Sequence, residues 1–212
     1  MFEAGRVLFG FVFTAATCMA AGGLLLRALP LRLYRQERRL FAFVIGSACL
    51  SLLVFALAAA QLARGDVFLT TGVLLIALAL WRGAHRARGD SLPPLPRFWK
   101  ALFLAVFAVF GAIYFCNAMA PEISPDGSSY HLGLVGLYLN HGGLYPLETS
   151  LYANLSQAME MLFLFAFPFG RHSAAALMHF AFLLTLPLAM LAYSRRFGFP
   201  AAGATGALLV FA

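Results

Sequence analysis

Charge is scarce in this chain. Asp, Glu, Lys and Arg make up 11% of it, against roughly 25% in an ordinary soluble domain. With 62% hydrophobic residues and a mean hydropathy of +0.86, that shortage excludes a soluble globular protein. Cysteine is scarce too: Cys18, Cys49 and Cys116 fall in apolar segments at unrelated spacings, which excludes a disulfide framework or a zinc site. The sequence has no Walker loop, no dinucleotide fingerprint, no HExxH and no GxSxG, so those chemistries lose their usual signatures. The amino terminus lacks the layout of a signal peptide. Glu3 accompanies Arg6, and the apolar run 7–26 is long enough to span a bilayer. The most telling absence is local: residues 120–153 carry Glu122, Asp126 and Glu148 but no Lys or Arg.

Long apolar runs are what the chain does have. A spanning helix needs about 20 mostly apolar residues, and runs at 7–26, 40–62 and 101–119 satisfy this. A fourth run, 67–81, is shorter and reaches across only with its flanks or in a thinned region. The basic residues gather in two loops. Arg27, Arg32, Arg35, Arg38 and Arg39 fill the first, and Arg82, Arg86, Arg88, Arg97 and Lys100 the second, which Pro93, Pro94 and Pro96 break. The positive-inside rule accounts for the net charge of +7 and puts both loops in the cytoplasm. No nucleic-acid partner is needed to explain it. The acidic stretch 120–153 then faces outward. The expected fold is all-α, a polytopic transmembrane helical bundle with a long extracytoplasmic loop containing juxtamembrane helices. It is a multi-pass protein of the cytoplasmic (inner) membrane.

Residues 154–169 are apolar, but about 16 residues cover only about 24 Å. Asn154, Gln157 and Glu160 recur every third residue and predict one polar stripe on this helix. If the helix crossed, the next span (173–193) would leave Arg195 and Arg196 outside. A juxtamembrane or re-entrant helix returns them to the cytoplasm, and its stripe faces protein or a wet cavity. A further apolar run begins near Pro200 and is cut short at Ala212, the pattern expected of the amino-terminal part of a larger membrane protein.

Within 120–153, Ser124-Pro125-Asp126 reads as a helix start: N-cap, first-position proline and an acid in the first turn. The helix 126–140 then ends at Gly142-Gly143. Asp126 and Tyr130 share a face, and His131 is rotated away. Tyr138, Tyr145 and Tyr152 form an interfacial aromatic belt. Intramembrane Glu160 is either functional or a partner for Gln157 or a neighbouring helix, and His179 reads as a helix-packing donor.

One order of features is distinctive. A span leads to Pro125-Asp126-Gly127-Ser128-Ser129-Tyr130-His131-Leu132, then Leu137-Tyr138-Leu139 and the turn His141-Gly142-Gly143. The stretch Tyr152 to Phe163, the pair Phe169-Gly170, a span and an arginine pair follow. This order resembles the GT-C superfamily of polytopic glycosyltransferases, which includes protein mannosyltransferases and aminoarabinose transferases. The resemblance covers 101–212, whereas 1–100 holds three additional spans. It implies transfer of a sugar from a polyprenyl-phosphate-linked donor to an acceptor (glycan, lipid or protein) on the outer face. The essential acid of the first outward loop falls on Asp126, as general base or as holder of a cation. Tyr130, His131, Gln157 and Glu160 fall beside it as substrate-binding residues. Asp126 and His131 are the candidate ligands of a divalent cation. A basic residue for the leaving phosphate is also implied, and the loop has none. Two other classes stay open: a transporter or flippase-like component with Glu160 and His179 on its path, and a non-catalytic membrane subunit.

Overall fold

The computed structural model describes residues 2–86, 89–147 and 151–212. Arg88 and Glu148, counted above among the loop charges, lie outside the described residues. Among those described there are seven α-helices and no strand: α1 (Phe2–Ala28), α2 (Arg35–Ala59), α3 (Gly65–Trp81), α4 (Arg97–Met119), α5 (Leu132–His141), α6 (Ala158–Arg196) and α7 (Pro200–Phe211). Four segments are long and apolar enough to cross a membrane: Glu3–Ala28, Arg35–Ala59, Arg97–Met119 and Ala158–Arg196. α3 and α7 are apolar but shorter.

The helices run past the apolar stretches that predict them. α2 and α4 begin at Arg35 and Arg97 rather than at residues 40 and 101. Arginine is a good helix former, and its long stem covers apolar surface while the guanidinium stays in water. A basic flank therefore does not end a helix.

α6 is two helices joined by a sharp break. Arg171 has φ 53° and ψ −143°, outside any helical geometry. The rings of Phe163 and His179 stand 6.4 Å apart, although 16 helical residues would separate them by about 24 Å. Segments 158–170 and 172–196 thus fold back on each other as a hairpin. The first segment is wedged among the other helices. Phe165 stacks on Phe13 of α1 at 5.8 Å and tilts against Phe68 of α3 at 5.4 Å. With Leu50, Val54 and Leu164 these residues form one buried core. Helices from 1–100 and from 101–212 share it.

The bundle has two chemically different ends. At one, Arg38 donates to the Leu26 carbonyl, Arg35 N–H to the Asp90 carbonyl, and Arg195 to the Leu92 and Pro93 carbonyls. Arg196 pairs with the buried Glu37 of α2 at 2.8 Å. Both basic loops and the Arg195–Arg196 pair therefore share this end. At the other, Ala63 N–H donates to Gly142, Leu144 N–H to Ala58, and Ser173 Oγ to Met119. Gly170 packs on Arg6 and Val7, and Gly65 on Pro168. Segment 158–170 begins and ends among groups of this second half, and only 172–196 runs the length of the bundle.

Candidate functional site: a cavity beneath the acidic loop

Local sequence rules build the loop from its first residue. Ser124 Oγ accepts the Gly127 N–H at 3.0 Å, as an N-cap should, and Pro125 takes the first helical position. The helix then widens. Residues Gly127–His131 form a π-turn, with the Leu132 N–H reaching back to the Gly127 carbonyl. Ser128 Oγ bonds the Ser124 carbonyl at 2.7 Å, and Ser129 Oγ bonds that of Pro125. Hydroxyls that take carbonyls from the ladder loosen a helix in this way. Gly142, at φ 84°, ends α5, as the Gly142-Gly143 pair predicts.

The extra residue in the turn redirects His131. Its Nδ1 lies 2.6 Å from Glu160 Oε1, across 29 positions of sequence. Glu160 is 8% exposed, on the first turn of α6, while the His131 side chain is 44% exposed. A carboxylate at a helix N-terminus is favoured by the helix dipole, and the imidazole supplies the partner that a buried acid requires. The Tyr130 ring lies 4.4 Å from that of His131 and stacks on Tyr152 at 4.0 Å. Loss of hydration, with Asp126 second, raises the Tyr130 phenol above its ordinary pKa.

Glu122, His131, Glu160 and His179 line one cavity of about 1030 Å³. α4 closes it with Tyr114 and Asn117, and both segments of α6 form its floor. Glu122 is fixed as firmly as the dyad: its Oε1 accepts the Ser124 N–H at 2.7 Å. The Ser124 hydroxyl, then its N–H, hold this carboxyl below the ordinary glutamate range. Asp126 is exposed, one residue from the cavity-lining Gly127.

The polar stripe is not a stripe. Asn154 closes a 3-10 turn, Gln157 precedes the helix, and only Glu160 lies within α6. Gln157 donates instead to the Tyr138 hydroxyl at 3.1 Å and to the Ala153 carbonyl at 2.8 Å. Polar side chains with backbone and phenol partners outside a helix do not extend it. Gln157 lines a separate pocket with Tyr138 and Tyr145 rather than the Glu160 cavity. The structure thus joins His131 to Glu160, sets Tyr130 beside them and leaves Gln157 apart. His179, expected to pack between helices, is exposed and borders the cavity. Glu122 has no motif around it to mark it in advance. Among the described residues no three His, Cys, Asp or Glu converge to hold a metal, and His131 commits Nδ1 to Glu160.

Comparison of the chain with protein-family models, curated proteins and solved structures finds no match.

Proposed function

We propose that this chain is a membrane glycosyltransferase module. It transfers a sugar from a polyprenyl-phosphate-linked donor to an acceptor on the extracytoplasmic face of the cytoplasmic membrane. One observation carries the reading. The segment that resembles the GT-C first loop roofs a cavity of about 1030 Å³ whose polar lining includes Glu122, His131 and Glu160. A lipid-linked sugar needs such a place, beside apolar helices for its tail and wide enough for a hexose and a phosphate. Glycosyl transfer builds positive charge at the anomeric carbon, and the carboxylates of Glu122 and Glu160 on the wall suit that charge.

The resemblance assigns the essential acid to Asp126. Its carboxylate makes no hydrogen bond or ion pair among the described residues, and Ser124 rather than Asp126 caps the helix. Asp126→Asn in the full-length protein should therefore leave insertion and abundance intact and shift stability by only about 0.3–1 kcal/mol. Transfer should fall by about 10²–10³-fold, as when a group that stabilises transition-state charge is lost. Near-normal transfer by this variant, measured in proteoliposomes with a polyprenyl-phosphate sugar, would sink the assignment. The transport reading has one observation in its favour, since Glu160 and His179 border the same cavity. Lipid movement without a glycosylated product in the same vesicles decides for transport.

A further inference from the structure

We infer that His131 is the proton acceptor of the transfer and that Glu160 is its positioning residue; this rests on the cavity being a glycosyl-transfer site. The argument is geometric. A short contact of 2.6 Å ties His131 Nδ1 to Glu160 Oε1. An ionised carboxylate accepts only, so in the neutral ring the proton sits on Nδ1 and the lone pair on Nε2. Nε2 has no hydrogen-bond partner among the described residues, and the ring borders the cavity. The same division of labour, in which a buried acid fixes the tautomer and orientation of a more exposed imidazole, makes histidine an effective base elsewhere.

The other acids around the cavity suit this task less well. Glu122 is occupied by Ser124, and its depressed pKa makes it a weaker base. Asp126 is exposed and is not part of the cavity wall. It keeps an electrostatic role at the rim, facing the positive charge that develops on the sugar. A purely structural reading of the dyad, as a clasp between the loop and α6, explains the buried Glu160. It gives no reason for a ring that is 44% exposed to border a cavity of about 1030 Å³.

The acceptor is then a hydroxyl compound. Its oxygen forms a bond to the anomeric carbon while its proton passes to His131 Nε2. The bond between the anomeric carbon and the phosphate oxygen breaks, and its electron pair leaves with the polyprenyl phosphate. Glu160 balances the imidazolium until the proton is released to solvent.

The test uses the full-length protein in proteoliposomes with a polyprenyl-phosphate sugar and a hydroxyl acceptor. His131→Ala should lower kcat by about 10²–10⁴-fold with the donor KM unchanged. Added imidazoles should restore part of the rate, in order of their basicity. Glu160→Gln keeps a hydrogen bond but favours the other tautomer, so it should lower kcat and leave KM alone; Glu160→Asp should recover part of the loss. His131→Gln controls for lost volume and should be as slow as His131→Ala. A His131→Ala protein that transfers at the wild-type rate overturns the proposal. So does one that is folded and slow but gains nothing from any imidazole. If the wild type itself transfers no sugar, the glycosyltransferase reading falls and takes His131's role with it. An active wild type beside an unimpaired variant removes His131 alone.

Discussion

At the scale of single residues, Glu122 and Arg171 carry consequences that no motif announces. Glu122 is bound by Ser124, and its carboxyl is held below the ordinary range. A depressed folded-state value means the ionised form stabilises the loop. That contribution is complete above the ordinary glutamate value and is lost as pH falls through the depressed one. Thermal unfolding of wild type and Glu122→Gln in detergent should therefore differ at neutral pH and converge on the acid side of ordinary glutamate titration. A gap that persists there would mean that packing, not charge, holds the loop. Arg171 sits at φ 53°, ψ −143° without being glycine, a conformation that costs on the order of 1–3 kcal/mol. Arg171→Gly should raise unfolding stability by a similar amount, and a loss would show that its side chain anchors the break. The candidate site was legible only in part for the same reason. Ser124 and Pro125 act through near neighbours, so the helix start can be read from sequence. His131 meets Glu160 only because a π-turn rotates one and the reversal at Arg171 seats the other. Neither event leaves a local pattern.

Elements were easier to read than sites, because a helix records its apolar face and its stop signals along its own length. Met119, Trp81 and the Gly142 turn end helices where the sequence says they should. The starts are less legible, since Arg35 and Arg97 extend helices that hydrophobicity alone begins later. Contacts between helices depend on small residues whose role appears only in the fold. α1 and α2 cross so closely that a Cβ on Gly46 would stand 1.7 Å from the Cys18 carbonyl oxygen, and one on Gly22 1.9 Å from that of Ala42. Both obstacles are backbone, so the helices must separate to admit a methyl group. Close backbone approach through small residues is how helices gain contact where hydrophobicity cannot drive them together. Gly46→Ala should lower stability by about 1–3 kcal/mol or more, the cost of overpacking a rigid site. Gly111→Ala is the control, because a Cβ there meets nothing within 4 Å. Equal melting temperatures for the two variants in detergent would contradict the close crossing.

At the scale of the whole molecule, the two ends of the bundle set its expected orientation. The arginine end gathers residues 27–38, the described part of 82–100 and the Arg195–Arg196 pair through direct contacts. The acidic loop caps the opposite end. By the positive-inside rule the arginine end is the one expected in the cytoplasm. The hairpin in α6 is what reconciles the count. If 158–170 crossed separately, Arg196 could not reach Glu37 at 2.8 Å on the side where α2 begins. Single cysteines in a background lacking Cys18, Cys49 and Cys116 test this in intact cells with an impermeant thiol reagent. Ser128, in the loop, should label; Ser91, at the arginine end, should not, and both are exposed. For the segment after α6 the choice of position matters. Ser194 is only 1% exposed and its hydroxyl bonds the Leu191 carbonyl, so a cysteine there would be silent from either side. Phe199, 45% exposed just before α7, reports instead. Protection at Phe199→Cys in intact cells, with labelling after the membrane is permeabilised, puts the end of α6 in the cytoplasm. Ready labelling in intact cells would mean that 158–170 crosses. Labelling at Ser91 with protection at Ser128 would invert the molecule, turn the His131–Glu160 cavity toward the cytoplasm and remove the basis for an outward-facing transferase.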